Sequence, residues 1–255
     1  MTAAVRIERT HDGAVARLVL DRPKANVLDA TMTRELTEAV VALGDDPALR
    51  LVVFEGAGRH FSFGASVEEH LPGRVRGMIT GFHAFFRALE DLGVPTAAIV
   101  RGQCLGGGFE VATWCGMVFA DPTARLAVPE VMLGVFPPIA ALALGWRTTG
   151  AVATRLVTTG QSVKADEALR LGLVDDLSDD PEAALQAWIE TSIVPLSGVG
   201  LRFAWRAARR PVARALAEDL PALEALYLDD LMACSDPVEG LTAFLEKRAP
   251  QWRHQ

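Results

Sequence analysis

Two glutamates are the first candidates for moving protons. Glu110 follows the triple glycine Gly106-Gly107-Gly108 and is surrounded by Phe109, Val111, Ala112 and Trp114. A carboxylate in that setting is either an exposed helix position or a buried acid with a raised pKa. Glu130 closes the segment Leu126-Ala127-Val128-Pro129-Glu130 and is the only charged residue between Arg125 and Arg147. A lone acid in so long an apolar run is either a first-turn acid of a helix or a partly desolvated group. Two such acids near one anion site would suit general acid/base chemistry.

The triple glycine supplies the candidate anion site. It lies between the apolar segment 95–100 and a predicted helix start. Glycine lets backbone approach a ligand closely, and a helix N-terminus offers unpaired N–H groups to a phosphate or a developing oxyanion. The alternative is a tight strand-to-helix turn. No Gly-Lys-Ser/Thr follows, and the G-x-G-x-x-G spacing is absent, so nucleotide-phosphate loops are not supported. A second loop, Ser62-Phe63-Gly64-Ala65-Ser66, follows the apolar run 51–54 as the triple glycine follows 95–100. If those strands are neighbours, both loops emerge at one end of the sheet and can each aim an N–H at one oxygen. Ser62 and Ser66 lie in no G-x-S-x-G elbow, so the nearby His60 and His70 are a weak basis for serine catalysis.

Strands are predicted at 5–9, 14–20, 51–54, 95–100, 117–120 and 125–128 from their apolar, β-branched character. Helical patterns cover 31–43, 75–92, the segment from the glycines to Trp114, 139–158, 164–171, 181–208, 211–233 and 237–248. Strand–helix alternation in the first half predicts a parallel, helix-covered sheet. The run Phe82, His83, Phe85 and Phe86 reads as an inward helix face, with a pocket wall as the alternative. The series Arg202, Arg206, Arg209, Arg210 and Arg214 reads as an exposed helix face.

Composition narrows the function classes. The chain has 255 residues, 50% of them hydrophobic, and a net charge of −7. Its mean hydropathy is +0.23 and its pI is about 5.3. The apolar content excludes disorder, and the acidic balance disfavours a nucleic-acid binder. No apolar run is long enough for a membrane span, and no secretory leader is expected. Cys104, Cys115 and Cys234 form no C-x-x-C, and the five histidines form no metal pair, so a cytoplasmic protein without a metal site is expected.

The motifs Arg22-Pro23-Lys24-Ala25-Asn26-Val27-Leu28, Phe61 through Ser66, Gly106 through Glu110, and Pro129 through Gly134 occur in an order that resembles the crotonase (enoyl-CoA hydratase/isomerase) superfamily. Thr159-Gly160, and Ala165 through Val174, continue the resemblance. It implies an α/β fold of the ClpP/crotonase type. Residues 1–195 would form a spiral of ββα units and 196–255 a helical C-terminal region that serves trimerisation and covers the active site. It implies an acyl-CoA thioester as substrate, no cofactor beyond the coenzyme A carried by that substrate, and a homotrimer or homohexamer.

By motif match, Ala65 and Gly107 supply the oxyanion N–H groups, and Glu110 and Glu130 are the catalytic pair of the hydratase members. Lys24 and Ala25 match the stretch along the coenzyme A moiety. Val27, Ser62, Gly64, Ser66, Val67, Gly106, Pro129 and Leu133 complete the implied binding set. Two departures touch the acyl pocket. Ser66 stands where the family often has Asp, and Phe136-Pro137-Pro138-Ile139-Ala140-Ala141 replaces a glycine-rich stretch. The wording of Phe61 through His70, with Gly81 through Phe86, resembles the cyclohexa-1,5-diene-1-carbonyl-CoA hydratases within that superfamily. A generic short-chain enoyl-CoA hydratase, an enoyl-CoA isomerase and a non-catalytic acyl-CoA-binding subunit are the competing readings.

Overall fold

The computed structural model describes residues 3–22, 25–44 and 46–255. Its strands, in chain order, are β1 (Val5–Thr10), β2 (Val15–Leu20), β3 (Leu51–Gly56), β4 (Thr96–Val100), β5 (Gln103–Leu105), β6 (Met117–Ala120), β7 (Arg125–Ala127), β8 (Val163–Lys164) and β9 (Asp176–Leu177). The hairpin β1–β2 is antiparallel, with Val5 opposite Leu20. β3, β4, β6 and β9 then add in parallel, giving the order β1-β2-β3-β4-β6-β9. A second sheet, β5-β7-β8, folds away from the first. Of its short strands only β7 coincides with a predicted one, at 125–128; β5 and β8 escape a reading by periodicity, because two or three residues carry no period.

The inner strands of the first sheet are buried on both faces, which is why β4 and β3 up to Phe54 are near-continuous apolar runs, whereas the edge strand β1 is largely exposed. One face carries Leu18, Leu20, Phe54 and Ala98 against Met32 and Leu36 of α1 (Ala30–Ala42) and Phe85 and Leu89 of α2 (Val75–Leu92). The opposite face carries Val15, Leu51, Val53 and Ile99. α3 (Gly107–Trp114) packs its Trp114 edge-on against Phe86, with ring centroids 5.1 Å apart. Phe82, His83, Phe85 and Phe86 are all buried, so the inward reading of that run holds.

The long helical patterns are interrupted where caps dictate. The stretch predicted at 139–158 is two helices, α4 (Pro138–Arg147) and α5 (Gly150–Thr159). Thr148 turns extended, and the Thr149 side chain accepts from Val152 N to start the second helix. After α6 (Ala165–Arg170), α7 (Pro181–Ser192) ends well before 208. α8 (Gly198–Glu218) begins at a Ser197 cap and runs through Pro211. A proline there should break a helix. Here contacts hold the helix on both sides: Arg209 before it, and buried Val212, Ala215 and Leu216 after it.

The arginine series divides accordingly. Arg206, Arg210 and Arg214 are exposed as predicted, whereas Arg202 and Arg209 are not. Arg202 donates to Asp46 O and Leu49 O. Arg209 donates to Glu90 at 2.9 Å and stacks on Trp114 and Trp205. α9 (Leu220–Ala225), a π-helical turn (Leu226–Asp230) and α10 (Asp236–Leu245) complete the C-terminal helices. Among the described residues, no helix is long and apolar enough to cross a membrane.

Candidate active site

β3 and β4 are parallel neighbours, so the loops that follow them leave the sheet at the same end. Ser62 fixes the first loop. Its side chain is fully buried, and its hydroxyl donates to Asn26 O at 2.7 Å while accepting from Gly64 N at 3.0 Å. Its backbone bonds to Gln103 and Leu105 of β5. Asn26 repeats the pattern from the other side, its amide reaching Ala57 O, His60 O and Phe61 O at 3.0–3.1 Å. Gly64 has φ +91°, and a Cβ there would stand 2.7 Å from Leu105 O. The two loops therefore touch through backbone alone.

That contact brings the two predicted N–H groups together. A Cβ placed on Gly107 would lie 3.4 Å from Ala65 N and 3.1 Å from Phe82 Cζ. Neither the Ala65 nor the Gly107 amide donates to a protein oxygen among the described residues. The second is the first residue of α3, where orphan N–H groups and the helix dipole favour negative charge.

Glu110 sits one turn into α3 and is 3% exposed. Its Oε1 accepts from Ala140 N at 2.8 Å, at the start of α4. Burial pushes its carboxyl up to about 7, against the backbone N–H groups of Ala140 and Ile139, which favour the charged form. Glu130 lies in a 3-10 turn (Pro129–Leu133) that begins with a proline. Its carboxylate lies against Gly106, and its Oε2 is buried with no hydrogen-bond partner among the described residues. Burial, and then the charge of Glu110, hold this carboxyl well above the ordinary carboxylate range. Two carboxylates under those constraints cannot both ionise easily, so the pair carries a proton near neutrality.

A cavity of about 840 Å³ opens beside them. Of the predicted residues, Val27, Gly64, Ala65, Ser66, Val67, Gly106, Pro129, Glu130 and Leu133 line it. Gly107 and Glu110 are not part of that lining. Ala25 bonds Phe63 N through its carbonyl and is not part of the wall. Lys24 lies outside the described residues. Ser62 is also outside the lining: its hydroxyl is committed to Asn26 O and Gly64 N and stitches the loop. His60 and His70 direct their Nδ1 atoms at Gln103 N and Ser66 O, and no hydrogen bond joins either ring to a serine hydroxyl among the described residues.

The far wall consists of Met132, Val135 and the C-terminal residues Gly240, Phe244, Leu245, Arg248 and Pro250, none of them among the individually named site residues. Phe244 and Leu245 carried the one available signal, a pair of apolar residues that α10 leaves exposed.

The enoyl-CoA hydratase/isomerase family model matches residues 10–255. The chain is 44% identical over 254 residues to the cyclohexa-1,5-dienecarbonyl-CoA hydratase of Thauera aromatica, covering 100% of this chain and 98% of that one. It is 34% identical to a probable enoyl-CoA hydratase of Mycobacterium bovis, covering 98% of each. The crystal structure of an enoyl-CoA hydratase from Mycobacterium avium superposes with a TM-score of 0.87 at 28% identity, over 99% of this chain and 100% of that one. The crotonase-type fold and the order of motifs thus agree, and the chain belongs to the enoyl-CoA hydratase/isomerase family as an enzyme of its hydratase type.

Proposed function

We propose that this hydro-lyase adds water to a conjugated enoyl-CoA thioester, with cyclohexa-1,5-diene-1-carbonyl-CoA as its substrate. One observation carries the reaction: two unbonded backbone N–H groups beside two buried carboxyls of raised pKa. The thioester oxygen accepts from Ala65 and Gly107. Glu110, the more easily ionised, takes a proton from water as the water oxygen bonds to the conjugated carbon. The electron pair moves to the thioester oxygen. Glu130, still protonated, gives its proton to carbon as the enolate collapses. One water is added, and solvent returns the two carboxyls to their starting states. Losing one oxyanion donor typically costs roughly 3–4 kcal/mol of transition-state stabilisation.

The diene substrate is supported by the 44% identical relative and by the apolar wall of Val27, Val67, Leu133 and Val135, which suits a ring. The reading needs no cofactor beyond the coenzyme A of the substrate, whose phosphates Lys24 and Ala25 would accompany. It places the enzyme in the cytoplasm as a homotrimer or homohexamer. Free Cys104, Cys115 and Cys234, and the exposed Trp146, Val199 and Phe203, support those two statements. Mass spectrometry of enoyl- and dienoyl-CoA esters incubated with the protein in D2O tests the reaction. A gain of one water mass on the dienoyl ester supports hydration. Deuterium uptake without added oxygen indicates an isomerase, and binding without turnover indicates an acyl-CoA carrier; either outcome defeats the proposal.

The carboxyl pair also sets a pH dependence. Hydration should rise through about pH 7 as Glu110 ionises and fall at higher pH as Glu130 follows. Stability runs the other way. A carboxyl whose folded pKa is raised binds its proton more tightly when folded, so the fold is favoured at low pH and loses that contribution as pH rises through about 7. A kcat/KM profile flat across neutrality would contradict the assignment.

A further inference from the structure

Tyr227 is the only tyrosine in the chain, and the reaction above makes no use of it. It sits in the π-helical turn Leu226–Asp230, a geometry that concentrates at functional sites. The residue is 1% exposed, yet its hydroxyl has no hydrogen-bond partner among the described residues. Its ring packs on Phe136, with centroids 5.2 Å apart. It belongs to one apolar cluster with Ala65, Val67, Leu133 and Val135, all of which line the substrate cavity. Burial raises its pKa, and the charges of Glu130 and Glu110 raise it further, so the hydroxyl lies within the field of both carboxyls.

The turn is held from behind. Glu224, three residues earlier, has its Oε1 2.7 Å from His83 Nδ1 and 2.8 Å from Arg87 Nη2. Both partners are on α2, the helix that also presses Phe82 against Gly107. The phenol is therefore fixed to the same element that backs the oxyanion loop.

An unbonded hydroxyl in an apolar cluster is a burden on the fold, since phenylalanine fills the same space without one. We propose that the Tyr227 hydroxyl is a third catalytic group, hydrogen-bonded to the reacting water. It accepts the water proton that is not transferred, which turns the other proton toward Glu110 and a lone pair toward the acyl carbon. In the reverse direction Glu110 returns its proton to the departing hydroxyl while the phenol oxygen accepts that hydroxyl's hydrogen bond. No bond to tyrosine forms or breaks, so the proton balance of the hydration is unchanged.

The inference rests on the hydratase reading, and its test keeps the two apart. Two reactions are compared in wild type and Tyr227→Phe. One is hydration of the dienoyl-CoA. The other is α-proton exchange of a saturated acyl-CoA in D2O, which needs the oxyanion groups and a carboxylate but adds no water. Tyr227→Phe should lower kcat for hydration on the order of 10- to 100-fold. KM and the exchange rate should stay within about threefold, and the melting temperature should be unchanged or higher. Hydration within about twofold of wild type overturns the inference. So does a parallel loss of hydration and exchange, or a fall in melting temperature, because either assigns the hydroxyl to the fold. Failure of the wild type to hydrate any enoyl-CoA instead overturns the hydratase reading itself.

Discussion

Replacing Glu130 with Gln should yield a folded protein that binds acyl-CoA and hydrates it about a thousandfold more slowly. Glutamine keeps the shape of the side chain but holds no proton to give to the enolate carbon. The fold should not suffer, because Oε2 has no partner to lose. Removing an acid that burial and Glu110 both oppose should raise the melting temperature instead. Glu110→Gln should cause a comparable loss of turnover. Its Oε1 position still faces Ala140 N, so the join between α3 and α4 survives while the base is gone. The double variant should be little worse than either single one, since both residues serve one proton transfer sequence. Hydration kinetics with a dienoyl-CoA, and calorimetric binding of a saturated acyl-CoA, check these statements together. Near-native turnover in either single variant would remove the two-carboxyl mechanism.

Gly106→Ala should be almost as damaging, for a steric reason. Gly106 has φ +49°, and an added Cβ would stand 2.6 Å from Glu130 Oε1. With ψ −127° the residue lies in a positive-φ region that only glycine adopts readily, and holding an alanine there costs on the order of 1–3 kcal/mol. The methyl group also takes the place of the carboxylate, which must turn away from the oxyanion loop. A displacement of about 1 Å in a reacting group can cost roughly a hundredfold in rate. The expected result is a hundredfold fall in kcat/KM together with a lower melting temperature. Gly145→Ala is the matched control, because it lies in α4 with nothing within 4 Å of its Cβ. It should keep full activity and gain a few tenths of a kcal/mol or more, roughly the ordinary helix preference. Equal behaviour of the two variants would show that Gly106 does not hold the carboxylate in place.

The reach of a sequence reading ends where contacts become long-range. β4 and β3 up to Phe54 were legible because each is a near-continuous apolar run buried on both faces. The two loops followed from their position after those runs, and the acids from their isolation among apolar neighbours. The role of Ser62 was not legible, since its partners are Asn26, distant in sequence, and its own loop. The C-terminal wall of the cavity depends on how α10 folds back, which no local pattern encodes. The passage of α8 through Pro211 ran against local propensity, because tertiary contacts of Arg209 and Val212 outweigh it. Tyr227 left no mark in the sequence beyond its singularity, and only burial without a partner singles it out.

The Ser62 junction also governs where this chain can change length. Segments at 26–28, 62–65 and 103–107 are bonded to one another through short links with no slack. A residue inserted between Ser62 and Ala65, or between Leu105 and Gly107, would rotate one amide of the oxyanion pair away from the other. The exposed turn at Gly73, with φ +85° and open space around it, carries no such constraint. Insertions and deletions should therefore accumulate at turns of that kind. The spacing inside the three joined segments should stay rigid even as their side chains diversify around the substrate.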